Sequence, residues 1–319
     1  MSSGSRRSGF RADTEAGALR LSIAATVVVS ALGIGFGLLS GSFSIVFDGV
    51  YSLVDGVMTS VALLVANLIA ASTAAGAGGR RLVQRFTMGF WHLEPMVLGV
   101  NGLLLTGAAV YAFITAIGVL LSGGRALNFD QAIVYAVLTL SICLGMGLLG
   151  LRTNRRLKSD FVALDAKGWL MSGAITASLL VAFVVGVAVE GTELAWISPY
   201  IDPTVLALVC LVIIPIPIAT IRRALADILL ITPADLKAQV DDVARAIVAQ
   251  YGFVDHRAYV ARVGRGRQIE LAFIVPAGAP PRALEDWDRL RDEIGAHIGH
   301  DTPDRWLTIV FTTDVEWAE

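Results

Sequence analysis

Six long runs of apolar positions occupy the first two thirds of the chain, at about residues 19–40, 44–71, 93–122, 129–151, 161–189 and 203–221. About 20 apolar residues in a helix cross the roughly 30 Å hydrocarbon core of a bilayer, and each run meets that length. The pattern predicts six transmembrane helices. The first run follows Arg6, Arg7 and Arg11, as in a signal peptide. It is longer than the roughly 7–15 apolar residues of a signal h-region, and five more runs come after it, so it reads as a true span.

Beyond residue 225 the period changes. Thr232, Pro233 and Asp235 read as an N-cap, a first-turn proline and a first-turn acid. They predict a helix over about 233–251 with Leu236, Val240, Val243, Ala244 and Ile247 on one buried face. Tyr259, Ala261 and Val263 alternate with polar neighbours, as do Ile269, Leu271 and Phe273, and Gly264 and Gly266 lie between the two sets; this predicts a hairpin. Residues 282–298 return to helical spacing through Leu284, Trp287, Leu290 and Ile294, and Trp306 to Phe311 make a last strand. The order αββαβ predicts a small two-layer α+β domain of ferredoxin-like type. The chain thus divides into a tail at 1–18, a six-helix membrane domain at 19–224 and a cytoplasmic α+β domain at 225–319.

Composition supports the division. Of the 319 residues, 55% are apolar and only 16% charged, against about 45–50% and 25% in soluble domains, which excludes an ordinary soluble enzyme. Residues 1–224 hold 15 basic and 11 acidic side chains, a balance of +4, while residues 225–319 hold 10 and 16, a balance of -6. Only the tail has the charge density of a soluble domain, and its acid-rich helix faces read as solvated surface. Cys143 and Cys210 both fall in apolar runs and read as small buried hydrophobes.

Basic residues alternate between the connections. Arg6, Arg7, Arg11 and Arg20 stand at the start of the first span, Arg80, Arg81 and Arg85 follow the second, Arg152, Arg155, Arg156 and Lys158 follow the fourth, and Arg222 and Arg223 follow the sixth. Arg125 is alone on the other side. Basic loops stay in the cytoplasm, so both termini are expected there, with the Gly-rich stretch at 75–79 as a flexible cytoplasmic link.

Ionisable side chains inside the spans are costly and mark function by default. Asp48, Tyr51, Ser52 and Asp55 follow i, i+3, i+4, i+7 spacing on the second span, and Thr59 extends the stripe. Such a line of oxygens can replace the hydration shell of a divalent cation. The other reading is a polar seam that joins helices through hydrogen bonds. Asp165 and Lys167 lie near the start of the fifth span on different faces, and Lys167 can snorkel to the interface. At the mouth of the third span, His92 and Glu94 could capture metal at the entrance, or Glu94 could complement the helix dipole, with Trp91 in the interfacial belt. Asp202 before Pro203 reads as an N-cap of the sixth span.

In these residues the chain resembles the cation diffusion facilitator family of proton-coupled divalent-metal exporters. The resemblance rests on Ser44 to Asp55, on Met88 to Glu94, on Asp202-Pro203, and on six spans followed by αββαβ. The His92-Leu93-Glu94-Pro95 wording is similar to a bacterial branch of cobalt, zinc and cadmium transporters. In the family the second and fifth helices carry an Asp, then His or Asp three residues on, then Asp seven on, and the later two bind metal. Here those positions are Asp48, Tyr51 and Asp55, and Asp165, Gly168 and Ser172. The resemblance therefore implies a site from Asp48, Asp55 and Asp165 with Tyr51 or Ser172 assisting. Such a site is richer in oxygen than a tetrahedral zinc site, which favours harder ions such as manganese, iron(II) or magnesium.

The tail carries only His256, His297 and His300, and its last strand lacks the usual family histidine, so it is expected to dimerise the protein with little metal sensing. The function implied is export of a divalent cation in exchange for protons by a homodimer in a bacterial inner membrane. The metal is substrate, no cofactor is tightly bound, no nucleic acid is a partner, and the chain is not an enzyme. No P-loop implies ATP. The competing readings are a membrane scaffold or regulatory subunit that has lost transport, and an antiporter for another cation.

Overall fold

A computed structural model describes residues 15–73, 89–157, 160–302 and 304–319. Arg6, Arg7, Arg11, Arg80, Arg81, Arg85, Met88, Lys158 and the Gly-rich link at 75–79 lie outside the described residues. Among the described residues, six stretches are helical, long and apolar enough to cross a membrane. Five are single helices: α1 (Glu15–Ser40), α2 (Phe43–Thr73), α3 (Leu93–Leu121), α4 (Phe129–Leu157) and α5 (Asp160–Val189).

The sixth stretch corrects the single helix expected at 203–221. It consists of α6 (Ser198–Ile213) and α7 (Ile218–Ile228), separated by Ile214–Pro217. Pro215 and Pro217 lack the N–H needed for the helical ladder, so the chain turns there. Arg222 and Arg223 accordingly lie within α7 rather than after the span.

Asp202 is a second correction. Because α6 starts four residues earlier and its N-cap position is Ile197, Asp202 does not cap its own helix. It is 5% exposed and accepts hydrogen bonds from Ser42 Oγ at 2.6 Å and the Phe43 backbone N–H at 3.0 Å. Those groups stand at the start of α2, so the carboxylate caps a neighbouring helix.

The elements fall into two compact units. The first holds the described residues up to Val61 and Asn101–Ala219. Here α4 packs along α5, α1 lies against both, and α6 lies against α5. Ile45, Phe129, Tyr135, Leu179 and Phe183 are among its most buried side chains. Glycines let α1 and α2 approach closely, since a Cβ on Gly49 would stand 2.7 Å from the Ile34 backbone N. Cys143 and Cys210 are free and buried, as expected.

The second unit holds Ala62–Val100 and Thr220–Glu319. Its tail folds as α8 (Ala234–Tyr251), β1 (Asp255–Val263), β2 (Gly266–Ile274), α9 (Leu284–Ile298) and β3 (Arg305–Thr312), which is the expected αββαβ order. The sheet order is β1-β2-β3, with β1 antiparallel and β3 parallel to β2. Leu236, Val240, Ala244 and Ile247 of α8 pack with Ile269, Leu271 and Phe273 of β2 and with Leu290, Ile294 and Ile298 of α9.

Three tail expectations shift. Pro233, not Thr232, holds the N-cap position of α8, without a side-chain cap. The alternating set that marks β1 points away from the core: Tyr259 is exposed and Val260 is buried. Pairing with β2 sets this phase, through Val260 opposite Ile269, and alternation alone does not say which of two sets faces the helices. Leu284 is exposed because it is the first residue of α9, ahead of the face that begins at Trp287.

Candidate metal site

The oxygen stripe on α2 is present, but its two carboxylates go to two different helices. Asp48 accepts a hydrogen bond from Tyr135 Oη of α4 at 2.6 Å. Tyr135 is fully buried with Thr139 and Cys143, which follow it at i+4 and i+8 along one face of α4. Asp55, two turns further along α2, is exposed. Its hydrogen-bond partner is Asn101 on α3.

On α5, Asp165 accepts from Ser22 Oγ of α1 at 2.6 Å, and that same oxygen accepts from Trp169 Nε1 at 2.7 Å. Gly168 is exposed, and a Cβ added there would meet nothing within 4 Å. Ser172 Oγ lies 3.7 Å from Cys143 Sγ, with Cys143 donating. Lys167 is exposed, as snorkelling requires. Among the described residues no three of His, Cys, Asp or Glu converge on one point. Asp48, Asp55 and Asp165 are thus not gathered into a single cluster. Tyr51 lies tilted against Phe47, with ring centroids 5.5 Å apart, and Asp48, Tyr51 and Ser52 are partly buried while Thr59, like Asp55, is exposed.

At the start of α3, His92 is exposed, but Glu94 is engaged. Glu94 Oε2 accepts from Arg265 Nε at 3.0 Å and from the Arg265 backbone N–H at 3.2 Å, and Oε1 lies 3.4 Å from Nη2. Arg265 sits in the two-residue turn between β1 and β2, and Glu94 beside it pushes the guanidinium pKa up. The turn can approach so closely because it is glycine-flanked: Gly264 takes φ +61°, and a Cβ on Gly266 would stand 2.8 Å from the Trp91 ring.

In the tail, His256 Nε2 lies 3.5 Å from Asp241 Oδ1, which also pairs with Lys237. Burial pushes the Asp241 carboxyl up, but Lys237 and His256 together hold it below the usual carboxylate range. His297 Nδ1 donates to the Glu293 backbone oxygen at 2.8 Å. His300 adopts a left-handed φ of 54° just after α9.

Sequence reasoning missed Ser22, Asn101, Tyr135 and Trp169. For Tyr135 the signal was the i, i+4, i+8 polar line through Thr139 and Cys143, and for Asn101 it was a lone amide inside an apolar run. A single serine such as Ser22 gives no signal.

Residues 19–229 match the model of a family described as the cation efflux transmembrane domain. None of the curated proteins compared matches the chain significantly.

Proposed function

The chain belongs to the cation efflux family, also called cation diffusion facilitators, and from that premise we propose that it exports a divalent metal cation from the cytoplasm in exchange for protons. It is an integral membrane transporter by family and by its six apolar helices. The observation that supports the finer reading is the exposed carboxylate of Asp55 within a span. Deprotonated, it is a ligand and the attractor for a cation. Protonated from the outer side, it becomes a poor ligand and releases the ion. Rocking of helices around the site supplies alternating access.

Asp48 and Asp165 are held by hydroxyl donors from α4 and α1, so in this reading they join the cation only when Tyr135 or Ser22 lets go. Tyr51, one turn from Asp55, adds a neutral oxygen, and Ser172 would enter the site only by leaving Cys143. An all-oxygen set of this kind favours manganese, iron(II) or magnesium over zinc. Both termini in the cytoplasm and a bacterial inner membrane complete the proposal. So does a homodimer, for which the exposed Tyr259, Trp306 and Val310 of the tail sheet offer an apolar surface.

The open position at Gly168 and the engaged hydroxyl of Ser172 favour one competitor, a scaffold that has kept the fold and lost transport. Uptake into inside-out vesicles across Mn, Fe, Co, Zn, Cd and Mg decides between them. The exporter accumulates at least one of these ions, and Asp55→Ala abolishes it. Equal uptake by Asp55→Ala overturns the proposal, and a scaffold moves no metal and releases no protons when metal is added.

A further inference from the structure

Resting on the exporter reading, we propose that Asn101 on α3 is a ligand of the transported cation, its amide oxygen completing an oxygen site with the Asp55 carboxylate for a hard or borderline divalent ion. Three observations carry it. The α5 positions that stand at the spacing of Tyr51 and Asp55 do not supply ligands: Gly168 has no side chain and faces open space, and Ser172 is paired with Cys143. The side chain that does meet Asp55 comes from α3, and it is Asn101. Finally, Asn101 Oδ1 is buried without a hydrogen-bond partner.

The orientation of the amide follows from its neighbour. Two oxygens repel, so the NH2 end faces the carboxylate and Oδ1 faces away. An amide serving only to join α2 and α3 has every reason to satisfy both ends, because an orphaned polar atom is costly where water is absent. The unpaired oxygen has a use if the group turns. A half-turn about the last side-chain bond exchanges nitrogen and oxygen and presents a neutral carbonyl-type oxygen beside the carboxylate, a ligand that suits hard divalent cations.

Asn101 then matches each state of an antiport cycle. Empty and ionised, Asp55 accepts the amide N–H. Loaded, Asp55 and Oδ1 share the cation. After proton entry the carboxyl O–H donates to Oδ1, so the released state is also satisfied. A side-chain amide carries both the donor and the acceptor that this exchange needs.

The test uses the full-length chain in proteoliposomes with Mn2+ or Zn2+ as the only metal, comparing Asn101→Leu, Asn101→Asp and Asp55→Ala, each checked for a parental thermal midpoint in detergent. Asn101→Leu is expected to raise the Mn2+ KM about tenfold or more, the scale of losing a metal-site group, with a smaller change in kcat. Asn101→Asp keeps the shape and adds charge, so it is expected to bind Mn2+ more tightly, read by the free Mn2+ signal in electron paramagnetic resonance. A parental KM in Asn101→Leu alongside an inactive Asp55→Ala overturns this inference and leaves the exporter reading standing. Active Asp55→Ala overturns the exporter reading beneath it. If Asn101→Leu does not fold, Asn101→Asp decides alone: parental or weaker Mn2+ binding, the result expected of an amide that only joins helices, overturns the inference.

Discussion

On α2 the line of Asp48, Tyr51 and Asp55 ends in an exposed carboxylate with an amide beside it, whereas on α5 the positions at the same spacing, Asp165, Gly168 and Ser172, end in a hydroxyl paired with Cys143. Equal spacing has produced unequal chemistry because a helix face is defined by what packs on it. The middle of α5 lies along α4 and α1, which take up its polar groups. The α2 stripe is tied down at Asp48 and left open at Asp55. All three carboxylates have a hydrogen-bond partner on another helix, as a purely structural group would, and Asp55 differs from Asp48 and Asp165 in being exposed as well.

The largest test of this contrast is functional. Asp55→Ala is expected to lower metal uptake about 100-fold or more, because it removes the one open carboxylate of the stripe. Asp165→Asn keeps an acceptor for Ser22 and is expected to change uptake by less than about tenfold. Vesicle uptake at subsaturating metal reads both, and equal losses break the contrast.

The next test concerns packing. A Cβ on Gly49 would meet the Ile34 backbone N at 2.7 Å and the Gly33 carbonyl carbon at 2.9 Å. Gly49→Ala is therefore expected to destabilise the bundle by about 1–3 kcal/mol, the cost of overpacking. Gly168→Ala enters open space and removes a helix-interior glycine, so a gain of up to roughly 0.8–1.0 kcal/mol is expected. Thermal midpoints in detergent give the sign of each.

The two tied carboxylates separate next. Ser22→Ala removes the donor to Asp165 and the acceptor of Trp169 Nε1 together, leaving two buried groups unpaired, for about 1–3 kcal/mol. Tyr135→Phe removes only the donor to Asp48 and is expected to cost about 0.6 kcal/mol, the average for such bonds between membrane helices. If Tyr135→Phe proves the costlier, Asp48 rather than Asp165 is the structural anchor.

The spans and the αββαβ order were legible because period and length survive in a single sequence: a 20-residue apolar run has few other fates, and Ile269, Leu271 and Phe273 were read on the correct face. Local signals that need a partner were not. Asp202 had the spacing of a cap but served α2, since capping depends on which helix end arrives within reach. The phase of β1 depended on its pairing with β2. At the candidate site the α2 stripe is visible, but Asn101 and Tyr135 meet it across 46 and 87 residues of sequence, Ser22 meets Asp165 of α5 across 143, and nothing local encodes those meetings.

The smallest expected effect gives the sharpest check on α5. Ser172 occupies the position that corresponds to Asp55, so a symmetric site would make the two equally sensitive. The structure gives Ser172 one sulfur contact at 3.7 Å and a backbone oxygen that accepts from Thr176, and the second of these does not depend on the side chain. Ser172→Ala is therefore expected to change stability by less than about 0.5 kcal/mol and to leave uptake unaltered. Ser172→Asp restores a carboxylate at this position but places it against Cys143 of α4. An unpaired buried charge costs more than it returns there, so the variant is expected to lose stability and gain no metal affinity. A Ser172→Asp protein that binds Mn2+ more tightly than the parent would show that α5 turns toward α2 during the cycle, and the contrast between the two spans would hold for one conformation only.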